Sequence, residues 1–593
     1  MTALNFRGKE FVFNHHLTVP YRNLLPHPDK GIGEPTLDGN LIIHGDNLHA
    51  LKSLVPRYAD KVDCIFIDPP YNTGNEGWCY NDNLNAPMIK DWLRANPIGI
   101  EDGLRHDKWC CMMWPRLRLL HDLLAESGAI FVSIDDNEFH RLRHMMDEIF
   151  EEDNFIASFV WHHRKSSQND INISLSHNFV LCYAKRKEKF NPRRDPIDAS
   201  QYSNPDNDEL GPWKLDPMDA PNIRKNLTYP ITNPKTGLTH LPPKGRCWRF
   251  SPDEFKKALI DNRIVFGRNG DSRPQYKRYL KDAENTGKSI PTIWNTISTA
   301  TDAKYEINKI FDNKNMFETP KPSSLLAKII NIAAKPNGVI LDSFAGSGTT
   351  AQAVLELNKK DGGNRRFILI EMEEYADRLT AERVRRVING YRFSGTQREE
   401  LFRENITWSK LRNPEKIMSE VEIIENLNLG KFEKIKKSVR NGELTVSGEK
   451  KILEKVEGVK GSFTYCTLSE SFELDKLLTG DLLPDFEAIG TVLFYTATKR
   501  TINPKHIRES EFYLGKTDNH HLWLIYKPDI VWLKSPEAAL SLSRAREFVE
   551  TDTTKKHLVF APVRYISQKV LEEQGLPVEF VPLPYALFRL NRG

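Results

Sequence analysis

The sequence predicts an α/β protein built around a parallel sheet, and three observations carry that prediction. Short apolar runs rich in β-branched residues alternate with helix-period patterns, as in Leu41-Ile42-Ile43-His44 followed by Leu48, Leu51 and Leu54. Two of those runs feed directly into loops that carry an acid and backbone-restricting residues, Asp68-Pro69-Pro70-Tyr71 and Asp342-Ser343-Phe344-Ala345-Gly346-Ser347-Gly348-Thr349-Thr350. The chain of 593 residues, 39% hydrophobic and 28% charged, is too long for one core, so two to four domains are expected.

Residues 1–39 hold several prolines and read as an N-terminal arm. Beyond Leu41-Ile42-Ile43-His44, the turn Gly45-Asp46-Asn47 opens a helix. It reads first as a turn and cap, with an acid at the carboxyl edge of a sheet as the alternative. Val62 to Ile67 is the next buried-type strand, and the polar stretch from Asn72 to Asn85 is long enough for a flap. Leu117, Leu120 and Leu124 mark a helix face. Ala129 to Asp135 is a strand, and a helix capped by Asp136 or Asn137 follows, with Phe139, Leu142, Met146 and Ile149 on one face. Ala157 to Trp161 and Asn178 to Tyr183 read as two more strands. Further on, Leu325, Leu326, Ile329, Ile330 and Ala333 form a helix face. Gly338 to Asp342 is a strand, a helix starts near Ala351, and Phe367 to Glu371 is a strand ending in an acid.

Composition excludes several classes. No apolar run reaches the ~18 residues of a membrane helix, and the start of the chain does not read as a secretory signal. Seven scattered cysteines without C-x-x-C spacing point to a reducing cytoplasm, and no His or Cys set has metal-ligand spacing, so no metal is expected. Gly287-Lys288-Ser289 and Gly515-Lys516-Thr517 lack the first glycine of a P-loop, which rules out a visible nucleotide-driven motor.

The chemistry sits in the two loops. Pro69 and Pro70 stiffen the backbone and leave carbonyls to accept hydrogen bonds, Asp68 adds a charged acceptor, and Tyr71 adds a flat face. Two acceptors and a stacking ring suit a planar base carrying an exocyclic amine; the same residues also read as a strand ending in a stiff turn. In the second loop, glycines between strand and helix let backbone N–H groups approach a ligand, and Glu371 can accept from both hydroxyls of a ribose. That order predicts an adenosine-type cofactor, without separating a dinucleotide from S-adenosylmethionine.

Between the loops lies a basic, proline-rich insert. Residues 185–283 hold 21 Lys+Arg against 13 Asp+Glu, although the whole chain carries only +4. Aromatics alternate with bases there, as in Trp213-Lys214, Arg246-Cys247-Trp248-Arg249-Phe250 and Tyr276-Lys277-Arg278-Tyr279. The pattern fits a DNA-reading insert and fits an ordinary solvated basic insert equally. Residues 396–460 are Lys- and Glu-rich and read as mostly helical. Strands are expected at Thr491 to Tyr495, Leu522 to Tyr526 and His557 to Phe560, in a separate small α/β domain that assembles or clamps DNA.

Taken together, Asp68-Pro69-Pro70-Tyr71 and Asp342 to Thr350 resemble the two signature motifs of amino-methylating DNA methyltransferases. The catalytic motif comes first and the basic insert lies between, which is similar to the β group of adenine-N6 methyltransferases. Ile42 to Leu48, Tyr71-Asn72-Thr73-Gly74-Asn75 and Ser133-Ile134-Asp135-Asp136-Asn137-Glu138 extend the likeness. With its length, the chain resembles the modification subunit of a Type III restriction–modification system. One departure is Ser343, where the family more often has Pro or Phe.

The resemblance implies a Rossmann-like, circularly permuted methyltransferase fold that uses S-adenosylmethionine. It implies a catalytic half at 40–184, a target-recognition insert at 185–300, a cofactor half at 301–391, and a helical linker with a C-terminal α/β domain at 392–593. Asp68 and the Pro69 carbonyl would accept from adenine N6, Pro70 would stiffen the loop, and Tyr71 would stack on the flipped base. Phe179 would supply the opposing face of the pocket. Phe344, Gly346, Gly348 and Thr349 would line the methionine part, with Asp342 at the head of that loop. Glu371 would take the ribose, Asp46 the cofactor adenine, and Lys321 would lie near the cofactor carboxylate. Implied partners are double-stranded DNA, a second copy of the chain and a helicase-nuclease restriction subunit. The lack of any Pro-Cys pair argues against cytosine-C5 chemistry, and Asp rather than Ser at residue 68 favours adenine over cytosine-N4. Alternatives are a stand-alone adenine or cytosine-N4 methyltransferase and a DNA-binding scaffold without catalysis.

Overall fold

The structure, a computed structural model, describes residues 3–74, 103–166, 172–313, 315–440, 442–471 and 483–583. The stretch read as a flap lies, from residue 75 onward, outside the described residues. The chain divides into two compact units, Met1–Asn191 with Thr292–Gly593, and Pro192–Pro291.

The larger unit is built on a ten-stranded sheet. Its strands in chain order are β1 (Arg22–Pro26), β2 (Leu41–His44), β3 (Val62–Ile67), β4 (Leu124–Ile134), β5 (Phe155–Trp161), β6 (Asn178–Ala184), β7 (Ile293–Trp294), β8 (Val339–Asp342), β9 (Arg366–Glu371) and β10 (Thr464–Ser471). Their spatial order is β1-β10-β2-β9-β8-β3-β4-β6-β5-β7. The middle of the sheet, β10-β2-β9-β8-β3-β4, is parallel throughout. The strands ending at Asp68 and Asp342 lie side by side, with Ile340 opposite Cys64 and Leu341 opposite Ile65.

The strands read as uniform apolar runs because the sheet is covered on both sides. Ile65, Ile67, Leu341, Ile368 and Ile370 join one apolar cluster with the helices Asn47–Tyr58, Arg105–Leu123 and Phe139–Phe150. The alternating Cys64, Phe66, Ile340, Phe367 and Leu369 are just as buried. The helix Ser323–Ala333 packs on β3 and on the helix Thr349–Asp361.

The sheet departs from the expected parallel form at its flanks. β6 runs antiparallel to both β4 and β5, and β1 runs antiparallel to β10. Buried strands carry no direction in their apolar pattern, so neither reversal shows in the sequence. The helix after β4 also begins differently. Asp135, not Asp136 or Asn137, makes the turn by accepting from the Asn137 N–H at 2.9 Å, and Glu138 takes the N-cap position.

Beyond residue 389 the differences are larger. The Lys- and Glu-rich stretch read as helical forms a three-stranded antiparallel sheet from Gly390–Asn405, Lys434–Arg440 and Glu443–Glu457, together with the helix Pro414–Leu427. Oppositely charged residues face each other across its strands, as in Arg398 with Glu449 and Arg403 with Glu443. Thr491 to Tyr495, expected as a strand, lies inside the helix Phe486–Thr498, whose N-terminus is capped by Asp485 accepting from Ala488 N–H at 2.7 Å. The strands His520–Leu524 and Lys556–Ala561 form as expected, parallel to each other in a four-stranded sheet.

The smaller unit, Pro192–Pro291, holds short two- and three-stranded sheets around a core of Met218, Ile231, Trp248, Phe255, Ile264 and Phe266. Several residues of its aromatic-and-basic runs are therefore structural. Trp248 and Tyr279 are buried, and Lys277 pairs with Asp206 and Asp208 at 2.6 and 2.7 Å. Arg224, Lys225, Lys244, Arg268 and Arg273 are exposed on it.

Candidate active site

Parallel strands expose their carboxyl ends along one edge, and four loops of this chain meet there. They follow β2, β3, β8 and β9 and carry Asp46, Asp68, the glycine loop and Glu371.

Asp68 leaves β3 with one carboxylate oxygen accepting from the Lys321 ammonium, which also lies 5.1 Å from the centre of the Tyr71 ring. Its Oδ1 is buried and has no hydrogen-bond partner among the described residues. The Pro70 carbonyl accepts from Trp109 Nε1–H at 2.7 Å, which anchors the second proline to the helix Arg105–Leu123. The Tyr71 hydroxyl is 2.6 Å from Ser133 Oγ on β4 and accepts from Asn178 Nδ2 at 3.4 Å. Burial and the nearby Asp68 charge push the Tyr71 phenol well above its ordinary range, so it stays neutral. Phe179, expected opposite Tyr71, packs on Phe139 at 4.2 Å between ring centres and meets His177 edge-on. Its neighbour on β6, Asn178, reaches the Tyr71 hydroxyl.

The glycine loop turns from β8 into the helix Thr349–Asp361 through two left-handed positions, Gly346 (φ 50°) and Gly348 (φ 80°). The Gly346 N–H donates to Glu371 Oε2 at 2.7 Å, and the Thr380 hydroxyl donates to the Gly346 carbonyl at 2.6 Å. Asp342 accepts from the Phe344 N–H at 3.1 Å and from the Thr350 hydroxyl at 2.5 Å. Arg383 is fully buried beneath the loop and donates to Ser347 Oγ at 2.8 Å, to Thr349 Oγ1 at 2.7 Å and to Gln352 at 2.9 Å. Thr349, expected to line a ligand, therefore spends its hydroxyl on an internal arginine.

Asp46 serves as the cap of the helix that follows it. Its Oδ1 caps the helix Asn47–Tyr58 by accepting from Leu48 N–H at 2.8 Å, and its Oδ2 lies 3.7 Å from Arg116. Asn47 links this loop to the other, donating to the Ser343 carbonyl at 3.0 Å and accepting from Arg116 Nε–H at 2.5 Å. Lys321, expected beside the cofactor carboxylate, bridges to Asp68.

Sequence reading missed Trp109, Ser133, Asn178, Asn47, Arg116, Thr380 and Arg383. Arg116 and Arg383 sit within helices, where an arginine usually marks the solvent face, so only their burial reveals them. Ser133 was within reach, because a polar residue interrupts an otherwise apolar strand there. Among the described residues no group of three His, Cys, Asp or Glu could hold a metal, and no helix is long and apolar enough to cross a membrane.

Burial raises the carboxyls of Asp342 and Glu371 to about 7. Between the ordinary carboxylate range and that value, the folded chain keeps protons that the unfolded chain has released. Stability therefore falls as pH rises through this window, by about 1.4 kcal/mol per unit and per group. Asp342→Asn removes one such group. Its melting temperature relative to the unaltered protein is expected to climb between about pH 5 and pH 7 and to level off above, as followed by calorimetry; a difference constant with pH would refute the assignment.

Comparison with known proteins adds to this geometry. The sequence profile of a DNA methylase family matches residues 62–382, just over half of the chain. The chain is 37% identical over 353 residues to the Mod subunit of the Type III restriction–modification enzyme StyLTI of Salmonella typhimurium, covering 56% of this chain and 52% of that protein. It is 33% identical over 380 residues to the EcoPI Mod subunit of Escherichia phage P1, covering 56% of this chain and 58% of that protein. It is 35% identical over 353 residues to the Type II methyltransferase M.KpnI of Klebsiella pneumoniae, covering 55% of this chain and 79% of that protein. The match thus spans between half and two thirds of the two Mod subunits. A match of that extent, over the segment that carries both loops, places this chain in the DNA methylase family.

Proposed function

We propose that the chain methylates N6 of adenine at a specific short sequence in double-stranded DNA, using S-adenosylmethionine, as the modification subunit of a Type III restriction–modification system. The observation that carries the reading is the pairing of β3 with β8. It sets the Asp68–Tyr71 loop beside the glycine loop at one sheet edge, although the two are 274 residues apart in sequence.

The residues fit the donor. The left-handed glycines leave room for close backbone approach, and Glu371 is a buried carboxylate at the end of β9, suited to ribose hydroxyls. Bound there, S-adenosylmethionine supplies a methyl group activated by its sulfonium. The chain's own residues do the remaining work. Adenine N6 is a weak nucleophile because its lone pair is delocalised into the ring. The Oδ1 of Asp68 and the carbonyl of Pro69 accept hydrogen bonds from the amine, which favours a more tetrahedral nitrogen. They also stabilise positive charge that develops on it. Tyr71, neutral and fixed through Ser133, offers its ring to a base that has left the duplex. The Lys321 ammonium holds the other Asp68 oxygen and leaves Oδ1 open to the incoming amine. The exposed basic residues of the smaller unit supply phosphate contacts, and that unit reads the target sequence. By the same reading, the partners are a second copy of the chain and a restriction subunit that cuts.

Expression in a methylation-free bacterial host, followed by genome-wide mapping of modified bases, tests the proposal. N6-methyladenine at one short motif is the expected result. N4-methylcytosine in its place would move the target base. A clean methylome alongside folded, cofactor-binding protein would overturn the reading.

A further inference from the structure

The Asp68–Tyr71 loop is held from behind by a carboxylate that touches none of its four residues. Glu138, the residue before the helix Phe139–Phe150, is fully buried, and its side chain makes no capping bond to that helix. Its Oε1 instead accepts from Asn72 Nδ2 at 2.5 Å and from the ring of His106, while Arg141 lies 3.4 Å from its Oε2. Asn72 directly follows Tyr71, is itself fully buried, and has a left-handed backbone at φ 60°. Its amide also donates to the Arg105 carbonyl at 3.3 Å.

A buried carboxylate is costly unless it is fully satisfied, so where its bonds go is informative. Here they run to the two segments that position the catalytic loop. One is Asn72, whose left-handed backbone, a conformation asparagine adopts readily, fixes the turn by which the chain leaves Tyr71. The other is the start of the helix Arg105–Leu123, which carries Trp109 and through it the Pro70 carbonyl. One carboxylate therefore controls both ends of Pro70-Tyr71.

We propose that Glu138 is a positioning residue: it locks Asn72 and His106 so that the Tyr71 ring and the proline carbonyls are pre-set for the target amine. The catalytic consequence rests on the methyl-transfer reading above, whereas the positioning does not.

The experiment compares Glu138→Gln, Glu138→Ala and Asn72→Asp in the full-length chain. Turnover, the KM for DNA and calorimetric affinity for S-adenosylmethionine are measured, with hydrogen exchange of peptides spanning residues 68–74 as a readout independent of activity. Glu138→Gln keeps an acceptor for the Asn72 amide and is expected to retain most of kcat. Glu138→Ala and Asn72→Asp are expected to lower kcat about tenfold to a hundredfold, with the KM for DNA and the cofactor affinity nearly unchanged. Both should speed exchange in 68–74 while leaving β8 and β9 protected.

Combining Glu138→Ala with Asn72→Asp should cost little more than Glu138→Ala alone, since that change already breaks the link to Asn72. Unchanged exchange in 68–74 with Glu138→Ala would overturn the proposal. So would losses as large in Glu138→Gln as in Glu138→Ala that track global melting, because they would mark a merely structural carboxylate. Faster exchange in a chain that methylates no DNA would leave the positioning intact and sink only the methyl-transfer reading.

Discussion

Replacing Asp68 by alanine is expected to lower methyl transfer by about two to three orders of magnitude while leaving cofactor affinity within a few-fold of the unaltered chain. The reason lies in how the site divides its work. Asp68 belongs to the amine side, whereas the hydrogen bonds of the glycine loop run to Glu371, Thr380, Arg383 and Asp342. Removing its carboxylate takes away the charged acceptor and strands the Lys321 ammonium over the Tyr71 ring. Asp68→Asn is a sharper form of the same test, since it keeps the volume but can present an amide donor to the incoming amine. Single-turnover rates with saturating cofactor, together with calorimetry of cofactor binding, separate the two quantities. Full activity in either variant would refute the assigned role.

The second large effect is expected at Gly348. Its φ of 80° is left-handed, and a Cβ built there would meet the Thr380 carbonyl at 3.0 Å. An L-residue in that conformation costs about 1–2 kcal/mol before any contact is counted. The Thr380 backbone has little freedom to move away, because the Thr380 hydroxyl is bonded to Gly346 within the same loop. Gly348→Ala is therefore expected to weaken S-adenosylmethionine binding at least about tenfold, since 1.4 kcal/mol is a factor of ten. Turnover at saturating cofactor should suffer less. Titration calorimetry and thermal shift with and without cofactor read the effect. Gly362, with φ 70° and nothing within 4 Å of its Cβ position, is the control, where alanine should cost backbone strain alone and leave binding unchanged.

Both sites were legible in the sequence because their signals are local and chemical. Pro69-Pro70 and the Gly346-Ser347-Gly348 turn each require a particular backbone, and each follows a short apolar run that reads as a buried strand. What stayed hidden depends on long-range packing. Thr491 to Tyr495 is rich in strand-favouring residues, yet a helix buried on most sides produces the same continuous apolar run, and the Asp485 cap was the only local clue. The Lys- and Glu-rich stretch after residue 390 has helix-favouring composition, yet its charges pair across strands, and tertiary pairing outweighed propensity. Arg383 gave no signal, because a buried arginine is recognised only from the Ser347, Thr349 and Gln352 side chains around it.

The position of β10 has a consequence for how the molecule assembles. β2 carries the Asp46 loop at its end, and β10 is inserted between β2 and β1, pairing Ile42 with Tyr465 and Leu25 with Thr467. A nascent chain that has already formed β2, β9, β8, β3 and β4 still presents one bare β2 edge until residues 464–471 emerge. Such an open parallel edge invites pairing with other chains, and a closing contact this distant in sequence is slow to form. Folding of the catalytic sheet is thus tied to synthesis well beyond its last catalytic residue. A chain ended near residue 460 is expected to aggregate during synthesis, even though every residue of the candidate active site is present in it.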